Sequence, residues 1–456
     1  MKLTIIGGGS VRTPRLIPTL IKRAAALDLQ ELWLMDIQAE KLELIGGLCQ
    51  AMAEEQGATF KFVLSTDAKE AITDADHVVT SIRPAYEKGR AVDERICFNH
   101  GVLGQETTGA AGFAMAMRSA PAILEYARMV EQYAKPNAWV FNFTNPAGLV
   151  AQVLHDAGIE RVVGICDSAN KAQHAVSRFM QIPMKRLHHE VYGLNHLSWT
   201  RSVRIDPDSD GQNGEEVLPG LLQNDDFVAK THMQMFADGL RDWQATFMNE
   251  YLHYYYHRDE VLASLIHKEE SRGEQVLRLT NDMLEKLKSA QTVDERIQIY
   301  RSIMAERSKS YMAHARGGAD RKKMKPVGDD EEGYAAVALG CIEAIATNRL
   351  LYTGLNVPNN GAINGMEDDD IVEVACWVDS SGIRPIQIGT IPENQLQMMH
   401  DVKQYERLAS QAILTKSRAT AIQAITVHPL VGSYPLAEKL VDAFIDAHQE
   451  WIGTWQ

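Results

Sequence analysis

Apolar residues fall in two alternating patterns along the first 170 positions. Short unbroken runs occur at KLTIIGG (residues 2–8), ELWLMD (31–36), KFVLS (61–65), HVVTSIR (77–83), AWVFNF (138–143) and RVVGIC (161–166). Between them, residues 14–27, 39–56 and 113–134 and the segment after Asn145 repeat with helical periodicity. Strand-length apolar runs separated by helical stretches predict a parallel sheet covered on both faces. From about residue 185 the pattern changes. LHHEVYGLNHLSWTRSVRID (187–206) is one long alternating stretch interrupted by Asn195 and His196, and most of the chain beyond it reads as helix. The expected architecture is α/β. A doubly wound parallel domain covers residues 1–170 and a mostly helical α+β domain covers 171–456, the change falling between 166 and 185. DPDSDGQNGEE (206–216) reads as a polar loop and RKKMKPVGDDEE (321–332) as a solvated charge run.

Composition narrows the function classes. With 456 residues the chain exceeds one ordinary core, which agrees with two domains. A net charge of −14 argues against a nucleic-acid groove or an anionic membrane surface, yet allows a local basic pocket for a small anion. No apolar run approaches a membrane span, and the chain enters its first strand without an export signal. Five scattered cysteines do not suggest a disulfide framework. A cytoplasmic protein is expected.

The candidate chemistry gathers where the parallel strands end. GGGS (7–10) stands between the first strand and a helix, where Gly7, Gly9 and Ser10 could cradle a pyrophosphate in a Rossmann-like turn. The third glycine of that fingerprint is absent, Arg12 standing in its place, and a purely structural turn is the alternative. Asp36 ends the second strand 27 residues after Gly9, where a carboxylate can accept hydrogen bonds from the ribose hydroxyls. It would repel a 2′-phosphate, which favours NAD over NADP. NFTNPAG places Asn142 and Asn145 at a strand's C-terminal edge, and CDSAN does the same for Cys166. A lone cysteine or histidine is commonly a core residue. Cys166 and His196 together could instead hold a divalent metal by thiolate and imidazole.

GGGS with the following Thr-Pro, GQETTG (104–109), NFTNP (142–146), Cys166, GLNH (193–196), YLHYYY (251–256) and HPLVGS (428–433) occur in this order along most of the chain. In these motifs the sequence resembles glycoside hydrolase family 4, and QETTG is similar to its 6-phospho-glucosidase branch. That family departs from the paired-carboxylate glycosidases. The resemblance implies a fold like that of lactate and malate dehydrogenases, NAD and usually Mn²⁺ as cofactors, and a homodimer or homotetramer. It makes Cys166 and His196 the protein ligands of the metal. NAD⁺ would take hydride from C3 of the sugar, and the metal would stabilise the enediolate left when a base removes the C2 proton. The aglycone would then leave, water would add, and the hydride would return to C3. Tyr251 is carried over as the base, with Tyr254 and Tyr255 as alternatives. Asp167 is reminiscent of a residue that protonates the leaving group in the α-specific enzymes. Asn145 and Asn195 would position the sugar, and Glu106 would lie near metal or substrate. Arg83, Arg90 and Arg272 are candidates for a sugar 6-phosphate.

Three departures bear on the substrate. Pro84-Ala85-Tyr86 stands where many phospho-β-glucosidases of the family have Gly-Gly, Asp167-Ser168-Ala169 replaces an Asn and a later Pro, and ARGGAD (315–320) replaces KRGGA. They leave open the same mechanism on α-linked or unphosphorylated sugars. An NAD-dependent hydroxy-acid dehydrogenase and a non-catalytic NAD-binding sensor are the readings from other classes. The first would use its histidine as acid/base with no metal cysteine; the second would not need the tyrosine cluster.

Overall fold

Leu3, Ile5 and Ile6 are at most 1% exposed, so the first strand, β1 (Lys2–Ile6), is covered on both faces. Each such aliphatic side chain contributes about 1.5–3 kcal/mol on burial. The next strands are β2 (Glu31–Met35), β3 (Lys61–Ser65), β4 (His77–Thr80), β5 (Val140–Asn142) and β6 (Val162–Gly164). They are parallel and lie in the order β6-β5-β4-β1-β2-β3. The order reverses between β1 and β4, which opens a crevice beyond their C-terminal ends. GGGS leads from β1 into that crevice, and residues 81–86 lead into it from β4.

Helices cover the sheet where periodicity places them. The longest, Gly109–Tyr133, begins four residues before its predicted start, and it buries Phe113, Met117, Ala120, Ile123, Ala127 and Val130 at steps of three and four. The computed structural model describes residues 1–206, 213–309, 312 and 333–456, without the side chains of 333 and 334. The polar loop 206–216 is thus described only in part, and ARGGAD (315–320) and RKKMKPVGDDEE (321–332) lie outside the described residues. Among the described residues no helix is long and apolar enough to cross a membrane.

The long alternating stretch is two strands, β7 (Leu187–Leu194) and β8 (Leu197–Ile205), antiparallel and joined by the two residues Asn195 and His196. The turn shifts the phase of β8 by one residue, and a bulge in β8, where Arg201 and Ser202 stand opposite Glu190, shifts it back. The two shifts cancel, so alternation runs on through the hairpin. β9 (Glu215–Glu216) and β10 (Phe247–Met248) flank β8 in this second sheet.

The helical reading of the C-terminal part also missed three strands: β11 (Leu351–Pro358), β12 (Ile371–Asp379) and β13 (Gly382–Pro385). They extend the main sheet to nine strands, β11 lying antiparallel against β6. Periodicity does not separate short buried strands of this kind from helix.

Candidate active site

At the end of β1 the chain turns with Gly7 at φ +93°, and a Cβ there would lie 2.3 Å from the Ser81 carbonyl oxygen. Only glycine fits. The Gly9 N–H donates to Asp36 Oδ2 (3.0 Å), and the Gln38 N–H donates to Oδ1 (3.0 Å). Asp36 is therefore clamped beside the glycine turn, where the spacing expects it. Gly7, Ser10, Asp36 and Asn145 line one continuous cleft.

The second centre lies past the C-terminal end of β6. Cys166 Sγ is 3.3 Å from His196 Nε2 and 3.0 Å from Ser168 Oγ. His196 occupies the hairpin turn at φ +64°, a left-handed conformation that places its ring against Cys166. The Thr107 hydroxyl donates to Gln105 Oε1 (2.8 Å) and lies 2.8 Å from His196 Nδ1. With that proton committed, Thr107 accepts from Nδ1–H, and the Nε2 lone pair faces Cys166. Burial holds His196 down to about 4, so the imidazole is neutral, the form that binds metal. Burial pushes the Cys166 thiol up, with Asp167 and Glu373 adding to it, so a thiolate here calls for a cation.

The pair fits a metal. Bonds of about 2.3 Å to sulfur and 2.1 Å to nitrogen put the two atoms about 3.1 Å apart at a right angle and about 3.6 Å apart at a tetrahedral one. The observed 3.3 Å lies between. Among the described residues no group of three or more His, Cys, Asp or Glu could hold a metal, which leaves Cys166 and His196 as a two-ligand pair.

The Tyr251 ring lies flat on His196, with centroids 3.7 Å apart and planes 1° from parallel. Its backbone N–H is accepted by Asn249 Oδ1 (3.0 Å), which fixes the short turn Glu250–Leu252. Arg90 and Lys171 both feel the charge of the Tyr251 phenol. Lys171 forms an ion pair with Glu250. Burial opposes the charge on Glu250, but Lys171 and His232 overcome it and bring its pKa to about 2. The two alternative tyrosines are placed otherwise. Tyr254 donates to Met312 Sδ (3.2 Å), and burial raises both Tyr254 and Tyr255.

GQETTG joins the two centres. Beside Thr107, Glu106 meets Arg83 (2.7 Å) and Arg90 (2.9 Å), and Arg90 also pairs with Glu94 (2.7 Å). Burial disfavours the Glu106 charge, yet Arg83 and Arg90 hold it well below the usual carboxylate range. Arg12 and Arg307 belong to the same cluster. Burial, then repulsion from Arg12, Arg83 and Arg90, lowers Arg307 to about 9, against the pull of Glu87. Arg272 stands behind Arg307, donating to Gln275 Oε1 (2.6 Å) and to the Arg307 carbonyl (2.8 Å). Asp167 is exposed beside Cys166. The Asn195 amide accepts from the Gly148 N–H (3.4 Å) and donates to Glu373 Oε1 (3.1 Å), which places it behind the His196 turn.

Sequence reasoning missed Arg12, Arg307, Lys171 and Glu373. Only Glu373 leaves a signal, as a carboxylate in the interior of the apolar strand IVEVACWVD. Ser198 Oγ donates to its Oε2 (2.7 Å), and Asn249 Nδ2 donates to Ser198 Oγ (3.0 Å). Glu373 thereby ties the His196 turn and the Tyr251 turn to the sheet. Burial raises it to about 7, against hydrogen bonds from Ser198, Asn195 and Asn356. The folded-state pKa lies above the ordinary value, so this protonation stabilises the fold fully below about 4.5 and is lost as pH rises through about 7. Urea denaturation should show wild type losing stability relative to Glu373→Gln between those limits, by at most about 1.4 kcal/mol per pH unit. A difference that does not change with pH would contradict this environment.

Comparison with known proteins agrees with the geometry. Residues 2–182 match the profile of the family 4 glycosyl hydrolases, and residues 191–431 match that of their C-terminal domain. A 6-phospho-beta-glucosidase of Escherichia coli is 30% identical over 466 residues, covering 100% of this chain and 97% of that protein. The Thermotoga maritima 6-phospho-beta glucosidase, solved with manganese, NAD⁺ and glucose-6-phosphate, superposes with a TM-score of 0.82 at 26% identity, over 99% of each chain. A 6-phospho-alpha-glucosidase from gut microorganisms, solved with NAD and glucose-6-phosphate, gives 0.82 at 25% identity over 100% of each.

Proposed function

The chain belongs to glycosyl hydrolase family 4, and from that premise we propose that it hydrolyses 6-phospho-glucosides with NAD and a divalent metal, manganese foremost. The observation that carries this reading is Tyr251 stacked on His196, itself 3.3 Å from Cys166: a base against a metal-ligand pair. The chemistry supplied by bound NAD is hydride uptake and return at C3, and that supplied by the metal is Lewis-acid polarisation of the C2 and C3 oxygens.

The chain's own residues do the rest. Gly7, Gly9 and Ser10 would take the pyrophosphate at the turn, and Asp36 the ribose hydroxyls. Cys166 Sγ and His196 Nε2 would hold the metal, with Thr107 fixing the imidazole from behind. The Tyr251 phenol removes the proton at C2. Arg90 and Lys171 favour its ionised form, which a phenol needs to act as a base near neutral pH. Asp167, exposed beside Cys166, gives a proton to the departing oxygen. Asn145 orients sugar hydroxyls from the cleft, and Asn195 steadies the His196 turn. Arg83 and Arg90, with Arg12 and Arg307, receive the 6-phosphate, whose charge relieves the crowding of cations around Arg307. Glu106 holds Arg83 and Arg90 in place. Arg272 supports Arg307 from outside.

The test is a matched panel of α- and β-glucosides, with and without a 6-phosphate, assayed with NAD⁺, Mn²⁺ and a reductant. The 6-phosphates should be cleaved without net accumulation of NADH, and the unphosphorylated sugars should not. Because arginine pairs a phosphate in two-point fashion, Arg83→Lys should raise KM for the phosphorylated substrate by roughly 10-fold. Equal cleavage of unphosphorylated glucosides would overturn the phosphate assignment. Net NADH production on lactate or malate would overturn the hydrolase reading in favour of a dehydrogenase.

A further inference from the structure

The turn after β4 holds two consecutive non-glycine residues in the left-handed region, Ala85 at φ +61° and Tyr86 at φ +54°. For a bulky side chain this is an outlier that persists only where the surroundings over-determine it, and such residues cluster at ligand clamps. Glycine at position 86 would remove the strain. The tyrosine ring instead enters the nucleotide cleft, whose lining also includes Asp36, Ile37, Lys41 and Trp451. Trp451 belongs to the helix Tyr434–Ile452 near the chain's last residue, and its ring meets Tyr86 edge to face with centroids 5.6 Å apart. The Lys41 ammonium lies 5.5 Å from the Tyr86 ring centre.

Two observations locate this aromatic pair at the adenosine end of the cleft. Tyr86 and Trp451 line the same cleft as Asp36, whose carboxylate, with Glu450, adds to the burial that raises the Tyr86 phenol. Ile37, the residue after Asp36, leaves an apolar side chain 61% exposed on the same cleft. The pair is also held from behind. His448 on the Trp451 helix bonds Asp93 through Nε2 (2.6 Å), and the buried Arg118 grips both Asp93 oxygens (3.0 and 2.5 Å). Arg118 Nε reaches the Pro84 carbonyl (3.4 Å), so one buried network ties the C-terminal helix to the strained turn.

We propose that Tyr86 and Trp451, which line the cleft together with Ile37, form an aromatic box for the adenine ring of the dinucleotide, making the C-terminal helix part of the cofactor site. The inference rests on the NAD reading above and adds the residues that grip its adenine.

Calorimetric titration of full-length wild type, Tyr86→Gly, Tyr86→Phe and Trp451→Ala with NAD⁺, ADP-ribose and nicotinamide mononucleotide separates the outcomes. Loss of stacking on one aromatic face should weaken NAD⁺ and ADP-ribose by roughly 10-fold in Tyr86→Gly and Trp451→Ala. Nicotinamide mononucleotide should bind these variants as it binds wild type, and Tyr86→Phe should retain affinity. Unchanged nicotinamide mononucleotide binding in the same variants shows that weaker NAD⁺ and ADP-ribose binding does not reflect misfolding. ADP-ribose affinity unchanged in both Tyr86→Gly and Trp451→Ala would overturn the box alone. Wild type that binds neither NAD⁺ nor ADP-ribose would overturn the nucleotide site and the box with it.

Discussion

Tyr251→Phe should lower turnover by roughly 10²–10⁴-fold, the range that a positioned general base contributes, while NAD⁺ affinity and thermal stability stay near wild type. The substitution keeps the ring that lies 3.7 Å from His196 and removes only the hydroxyl. A purely structural tyrosine, valued for packing, would lose little on this change. Tyr251 is 9% exposed and its backbone is fixed by Asn249, so the phenylalanine ring has the same seat. Tyr254 and Tyr255 make the contrast. Replacing either by phenylalanine should leave turnover within about tenfold of wild type, because neither ring stacks on His196 and burial disfavours ionisation of both. Steady-state rates and NAD⁺ titration of the three variants check this.

The second large effect concerns the metal. Dialysis against a chelator should abolish activity, and Mn²⁺ with a reductant should restore it. Two protein ligands hold an ion less firmly than closed four-ligand sites do, and a thiol stripped of its metal is open to oxidation. Cys166→Ser should lower activity at saturating Mn²⁺ by at least ~10²-fold, since loss of a mere supporting group commonly costs 10–100-fold. Thr107→Val should fall in that smaller range, through the His196 imidazole it orients at 2.8 Å. Metal titration against activity separates the two. Full activity in chelator, or a Cys166→Ser protein indifferent to added metal, would remove Cys166 from the metal site.

The residues most legible in the sequence are those at a strand's C-terminal end. Gly7, Asp36, Asn145 and Cys166 each close an apolar run, so the parallel pattern alone makes them converge on one sheet edge. It does not dictate the 3.3 Å approach of His196 to Cys166. That approach needs the hairpin turn, and two cancelling phase shifts hide the turn within a continuous alternation. Arg12 and Arg307 lie far apart in sequence, and an isolated arginine usually marks a solvated helix face. Their proximity appears only when folding crowds them against Arg83 and Arg90. Glu373 reads as a flaw in a hydrophobic strand until Ser198 and Asn195 are seen to donate to it. Resemblance proposes ligands and base, because those residues lie in contiguous motifs. The groups that position them come from β12, from the helix containing Arg307 and from GQETTG, and only tertiary contact assembles them.

The claim at the centre is that the hydrogen at C2 of the sugar leaves during turnover and that Tyr251 takes it. In a two-carboxylate glycosidase that carbon–hydrogen bond is never broken. A phenol that removes the proton must return one from a pool that exchanges with solvent. The measurement is NMR or mass spectrometry of the sugar 6-phosphate released from a cleaved 6-phospho-glucoside in D₂O, with wild type and Tyr251→Phe side by side. Deuterium at C2 of the wild-type product, with neither cleavage nor exchange above background in Tyr251→Phe, is the predicted result. Product that retains protium at C2 after full turnover in D₂O would contradict the account.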